Sequence, residues 1–278
     1  MLAVRLATAA ILIPILVVVL WAGGPLLVVA VGLITLLAAG EVANLLRRAG
    51  LPVSTPVVAL LAVLSVLDAA YAPFGSSWAV QGWIVLLVLL AMLLTLRKQD
   101  MREAVHSMIG TIFGALYAGL LAYLLRIPLT VASDAAQGPL VELLDPGRAW
   151  LLVLVLGVWA YDSAAYVTGR LWGRGRFFAH ISPNKTWSGT IGGSVAAVLA
   201  CAGHGLLIGR PLEAAGLGLL IAVAAPVGDL VESVLKRAAG VKDSGQLIPG
   251  HGGMLDRVDS FVTAAPAAWL YLAFLGLV

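Results

Sequence analysis

The sequence predicts an all-α polytopic integral membrane protein with about nine transmembrane helices. Three observations carry the prediction. Hydrophobic residues make up 61% of the 278 and charged residues only 11%, whereas a soluble domain is about half apolar and about a quarter charged. The apolar residues fall in long runs set apart by Gly- and Pro-rich punctuation, "AGGP", "AGLPVSTP", "APFGSS" and "GRP". The basic residues gather on one side of the resulting topology. The mean hydropathy of +1.03 gives more apolar surface than the chain's own interior can bury.

A helix needs about 20 mostly apolar residues to cross the hydrocarbon. Helices must do the crossing, because a lone strand leaves backbone groups unpaired in lipid. The first run, 2–22, has the length of a span and no small-x-small cleavage site behind it, so it is read as a helix rather than a cleaved signal. The others lie at 25–46, 56–72, 79–97, 105–127, 149–169, 187–209, 212–236 and 260–278. The third is short and carries Asp68; the eighth ends in charge. The single cysteine, Cys201, lies in an apolar run and rules out an intrachain disulfide. No repeat is evident, so an inverted-repeat transporter gains no support.

With nine spans, one side collects Arg5, Arg47, Arg48, Arg97, Lys98, Arg102, Arg170, Arg174, Arg176, Lys185, Lys236, Arg237, Lys242 and Arg257. The other side has only Arg126, Arg148 and Arg210. Cytoplasmic loops carry the excess of Lys and Arg, so the N-terminus faces the cytoplasm and the C-terminus outward. Topology thus accounts for the net charge of +3, and nucleic-acid binding is not expected. Residues 1–148 carry modest charge at loop ends and read as an N-terminal transmembrane scaffold region. Residues 149–278 are dense in reactive side chains and read as the C-terminal transmembrane catalytic region, with its active site at the cytoplasmic face.

Four constellations lie there. In "GDLVESVLKR", Asp229, Glu232, Ser233, Lys236 and Arg237 share one helical face. Salt bridges within the helix are the plain explanation, least so for Asp229, the deepest. In "KDSGQLIPGHGGMLDRVDS", a Gly-rich loop around His251 leads into a helix that aligns Asp256, Asp259 and Ser260. Two carboxylates one turn apart suit Mg2+, which takes one or two carboxylates plus water and phosphates. Dipole complementation at a helix start explains Asp256 alone but not Asp259. In "HISPNKTWSGTIGG", Lys185, Thr186 and Ser188 fall where a helix begins, a place able to hold an anion or simply a capped start. In "YDSAAYVTGRLWGRGRFF", Asp162 and Tyr166 share a face ahead of a basic loop, and an intramembrane carboxylate is a functional candidate by default. Zinc is not expected on this residue set, which lacks a Cys pair or a helical His pair.

Together these residues resemble the phosphatidate cytidylyltransferase (CDP-diacylglycerol synthase) family. The family signature runs Ser, two residues, Lys-Arg, four residues, Lys-Asp, then Pro-x-His-Gly-Gly, two residues, Asp-Arg-x-Asp. Here it reads "SVLKRAAGVKDSGQLIPGHGGMLDRVD" over 233–259, and "DSAAY", "SPNKTWSGTIGG" and "GDLVES" also match. The resemblance covers 160–260; the first 150 residues match only in being multi-span. It implies transfer of CMP from CTP to phosphatidic acid, giving CDP-diacylglycerol and pyrophosphate in phospholipid biosynthesis. It also implies Mg2+ as cofactor, with a second metal left open, and a homodimer in the cell (inner) membrane.

Under that resemblance Asp229 and Asp256 are the first-choice metal ligands, then Asp259, with Glu232 and Asp243 less firmly placed. Lys185, Lys236, Arg237 and Arg257 contact phosphates, with Lys242, Ser182, Thr186 and Ser233 as lesser partners. His251, Gly252 and Gly253 let backbone approach the triphosphate, and Asp162 and Tyr166 line or support the site. The alternatives are a CTP-dependent lipid-alcohol kinase, with Asp243 or His251 as base, and, further off, an ion-coupled transporter.

Overall fold

The computed structural model of the chain describes every residue except Met1, 72–76, Arg97, Pro249 and His251, and no side chain at 2–7, 9, 77–84 or 87. It is helical throughout, with no named strand among the described residues. The helices are α1 (Leu2–Ala22), α2 (Gly24–Arg48), α3 (Thr55–Tyr71), α4 (Ser77–Thr95), α5 (Met101–Gly119), α6 (Tyr123–Thr130), α7 (Pro139–Leu144), α8 (Pro146–Trp172), α9 (Trp187–Leu207), α10 (Pro211–Ala238) and α11 (Leu255–Phe274).

A helix thus stands in each of the nine apolar runs. Five runs among the described residues are long and apolar enough to cross a membrane: Gly24–Arg48, Met101–Thr130, Pro146–Trp172, Trp187–Leu207 and Pro211–Ala238. These apolar helices are those of a membrane protein. The run Met101–Thr130 is not one uniform helix: a 3-10 turn at Leu120–Ala122 joins α5 to α6. The short α7 lies in the stretch the sequence leaves as a loop.

Local chemistry sets the ends. The Asp100 carboxylate accepts from the Arg102 N–H at 2.8 Å and starts α5. Asp145 does the same for α8, accepting from the Arg148 N–H at 2.8 Å. Thr186 Oγ1 accepts from the Gly189 N–H at 3.1 Å and caps α9. Such caps occupy donors that the first turn leaves unpaired.

The chain forms two compact units, Met1–Leu125 with Val234–Val258, and Arg126–Ser233 with Asp259–Val278. In the first, Leu61 and Ala115 are fully buried among Val57, Leu64, Val88, Leu90 and Ile112. In the second, α8 packs along α9, with Trp150 and Cys201 both at 0% exposure. Glycine makes that approach possible: a Cβ at Gly157 would meet Cys201 Sγ, and one at Gly193 would meet the Tyr161 ring and carbonyl. Small residues at such contacts let helix backbones come close without a water-driven force between them.

Candidate metal and phosphate site

In the second unit, α10 carries Asp229 and Glu232 one turn apart, and the start of α11 brings in Asp259. One carboxylate oxygen from each lies within 4.8 Å of the others. Gly228 makes the juxtaposition possible: a Cβ there would collide with the Asp259 carbonyl and the Thr263 hydroxyl. Thr263 Oγ1 instead donates to the Ala224 carbonyl at 2.7 Å, tying α11 to α10. Glu232 is fully buried. Three carboxylates this close repel one another when ionised, and a cation relieves the repulsion.

One cation is built in. Lys185 Nζ lies 2.8 Å from Asp229 Oδ2. The loop before α9 folds back to deliver it: the Phe177 N–H donates to the Lys185 carbonyl at 2.9 Å, and the Trp187 N–H to the Gly175 carbonyl at 2.8 Å. The Phe177 and Trp187 rings meet edge to face with centroids 4.5 Å apart. Around the carboxylates, Ser233 Oγ donates to Asp229 Oδ1 at 3.4 Å, the Ser260 N–H to Asp259 Oδ1 at 2.7 Å, and Ser260 Oγ to Asp162 Oδ1 at 3.4 Å.

The donor set is all carboxylate oxygen, which is what hard Mg2+ prefers. Asp229, Glu232 and Asp259 fit that ion, and Lys185 beside them fits a phosphate.

In the first unit the charged loop folds around Asp256. Its Oδ1 accepts from Lys236 Nζ at 2.7 Å. Its Oδ2 accepts from the Ser244 N–H at 2.9 Å, the Ser244 hydroxyl at 2.8 Å and the Gly253 N–H at 2.8 Å. Burial pushes the Asp256 carboxyl up, but Lys236 and the two backbone N–H groups outweigh it and hold the group below its ordinary 3.8. Gly252 takes φ 85°, a conformation costly for other residues, and a Cβ there would meet Asp256 Oδ2 at 2.7 Å.

The structure therefore joins Asp229, Glu232, Asp259 and Lys185, and separately joins Lys236, Asp256, Ser244 and Gly253. Asp162 reaches the first group through Ser260. Thr186 and Ser233 serve as helix cap and Asp229 partner. Ser182 holds the loop, its carbonyl accepting from the Lys185 N–H at 3.3 Å. Tyr166 is exposed, its hydroxyl accepting from Arg170 at 3.1 Å. Arg237, Lys242, Asp243 and Arg257 are also exposed. His251 lies outside the described residues. Sequence reasoning missed Glu41 of α2 and Ser244. Glu41 Oε1 accepts from the Met254 N–H at 2.9 Å, and Oε2 from the Leu255 N–H at 2.7 Å and the Ser244 hydroxyl at 2.9 Å. The available signal was a lone carboxylate at the edge of an apolar run.

Apolar helices carrying three carboxylates that could hold a cation, with a lysine beside them, define the class: a membrane protein with a candidate metal site. The chain belongs to the cytidylyltransferase family, whose model matches residues 3–275. It is 32% identical over 247 residues to the phosphatidate cytidylyltransferase of Mycobacterium bovis, covering 88% of this chain and 79% of that protein. It is 46% identical over 131 residues to that of Brucella suis biovar 1, covering 45% of this chain and 47% of that one. For the Synechocystis protein of the same name the identity is 45% over 131 residues, covering 45% and 44%. The match thus spans about half the length of the Brucella and Synechocystis relatives.

Proposed function

We propose that this chain transfers CMP from CTP to phosphatidic acid, producing CDP-diacylglycerol and pyrophosphate. The observation that carries the reading is the group Asp229, Glu232 and Asp259 with Lys185 at 2.8 Å from Asp229, in a chain of the cytidylyltransferase family. In the reaction a phosphatidate oxygen bonds to the α-phosphorus of CTP. The bond from that phosphorus to the bridging oxygen breaks, and its electron pair leaves on pyrophosphate.

A phosphomonoester has its second pKa near about 6, so the nucleophile is ionised at neutral pH and no strong base is needed. The barrier comes from bringing two anions together and from charge on the leaving group. Asp229, Glu232 and Asp259 would hold Mg2+, which when bound would neutralise polyphosphate charge. Lys185, ion-paired to Asp229, offers its ammonium to a phosphate oxygen. Lys236 is held by Asp256 in the same manner, and Arg237, Arg257 and Lys242 present exposed cations. Ser260 steadies Asp259 and Asp162. Asp243, His251, Gly252 and Gly253 are assigned to nucleotide binding in this reading.

The positive-inside asymmetry supports nine spans, a cytoplasmic N-terminus and a site at the cytoplasmic face of the inner membrane, where CTP and the lipid headgroup meet. The same reading keeps 1–148 as scaffold, 149–278 as catalytic region, and a homodimer as the assembly.

The test is an assay of purified protein in detergent with phosphatidate, Mg2+ and labelled CTP. Liponucleotide and pyrophosphate are expected in equal amounts. Phosphorylation of a lipid alcohol in place of that product would make the chain a kinase. No CTP turnover with either lipid would sink the enzyme reading.

A further inference from the structure

Helix α11 begins at Leu255, where the Met254 carbonyl accepts from the Arg257 N–H at 3.0 Å. Met254 precedes it and has no side-chain oxygen, yet the first N–H groups of a helix need partners. They find one in a distant helix. The Glu41 carboxylate accepts from the N–H groups of Met254 and Leu255 at 2.9 and 2.7 Å, across 213 and 214 residues of sequence. Space is cleared for it: a Cβ at Gly253 or Gly245 would collide with that carboxylate. Glu41 Oε2 and Asp256 Oδ2 lie 2.9 and 2.8 Å from one hydroxyl, that of Ser244, which is only 3% exposed. A hydroxyl has one proton to give, so Ser244 donates to one carboxylate at a time and the two share it as a common neighbour. Asp256 in turn holds Lys236 at 2.7 Å.

We infer that Glu41 is a positioning residue for the proposed transfer reaction: it caps α11 from α2 and, through Ser244, fixes Asp256 and the Lys236 ammonium. The inference rests on the reaction proposed above. It draws a residue of the first apolar helices into the catalytic apparatus, where the sequence suggests only scaffold. Glu41 touches no reacting atom in this account; it acts through Ser244 and the two backbone N–H groups.

The experiment uses the full chain in nanodiscs, comparing the parent with Glu41→Gln and Ser244→Ala. It reads amide exchange at residues 253–255, kcat and KM for CTP, and the folded fraction by size exclusion and thermal melting. Bonds to a charged acceptor weaken when the charge goes, so exchange at the Met254 and Leu255 amides should speed up about 10- to 100-fold in Glu41→Gln, with the Gly253 amide, held by Asp256, as the internal reference. Misplacement of a charged group costs turnover more than binding, so kcat per folded molecule should fall on the order of 10- to 100-fold with KM nearly constant. Ser244→Ala should lower kcat while the Met254 and Leu255 amides stay protected. Should Glu41→Gln not fold, the Ser244 variant still decides the link. Unchanged exchange in Glu41→Gln overturns the cap, whether or not the parent turns over. Unchanged kcat in folded variants overturns the positioning role. A parent without liponucleotide product overturns the reaction reading and with it this role, while the exchange measurement separately reports the Glu41 bonds.

Discussion

Replacing Asp259 by Asn removes one of three carboxylates that lie within 4.8 Å of one another. The variant relieves repulsion, so without Mg2+ it should melt at or above the parent's temperature. Mg2+ should raise the parent's melting temperature by mass action and leave the variant's nearly unmoved. Activity should fall on the order of a hundredfold or more, since metal charge stabilisation is worth several kcal/mol. A variant that loses stability together with activity would mark Asp259 as structural. Asp256, one turn earlier, has both oxygens occupied by protein donors, and its folded pKa is depressed below 3.8. The sign follows: its stabilisation is present above the unfolded value and is lost as pH falls through the folded value. The stability gap between parent and Asp256→Asn should therefore be constant at neutral pH and shrink as pH drops below 3.8. Acid titration of thermal melting measures it, and a gap that widens in acid would refute the assignment.

Between helices, the site depends on a missing side chain. Gly228→Ala would press a methyl into the Asp259 carbonyl and Thr263, and overpacking of this kind costs about 1–3 kcal/mol. The variant should melt lower than the parent and lose Mg2+ stabilisation as α11 is displaced from α10; unchanged melting would show that the contact relaxes freely. This scale also marks where the sequence is readable. Helix starts capped by near neighbours, Asp100, Asp145 and Thr186, follow local patterns. So does the pairing of Asp229 with Glu232, one turn apart on α10. The cap of α11 does not, because its acceptor is Glu41, more than 200 residues away, and no spacing rule links them. Spacing along α11 likewise aligns Asp256 with Asp259 without showing that Lys236, Ser244 and Gly253 occupy the first while Glu232 and Asp229 surround the second. Those facts depend on tertiary packing.

For the whole molecule, hydropathy marks where helices stand, and their number of crossings is a question of parity. Between Gln99 and Gln246 lie four of the long apolar runs, Met101–Thr130, Pro146–Trp172, Trp187–Leu207 and Pro211–Ala238. An even number returns the chain to its starting side; one run alone separates Gln99 from Ser133. All three residues are exposed. The native Cys201 is fully buried, so it stays silent to a membrane-impermeant maleimide. Single cysteines at Gln99, Ser133 and Gln246 then report their own side. The basic asymmetry predicts labelling of Ser133→Cys in intact cells, and of Gln99→Cys and Gln246→Cys only in inverted vesicles. If Gln99 and Gln246 label from opposite sides, one of the four runs does not cross, and the proposed nine-span topology fails. If Ser133 labels with Gln99, the failure lies in Met101–Thr130, where the 3-10 turn interrupts the helix. If the whole pattern is inverted, the crossings stand but the charged loop 239–254 faces away from cytosolic CTP, and the proposed reaction loses its nucleotide supply.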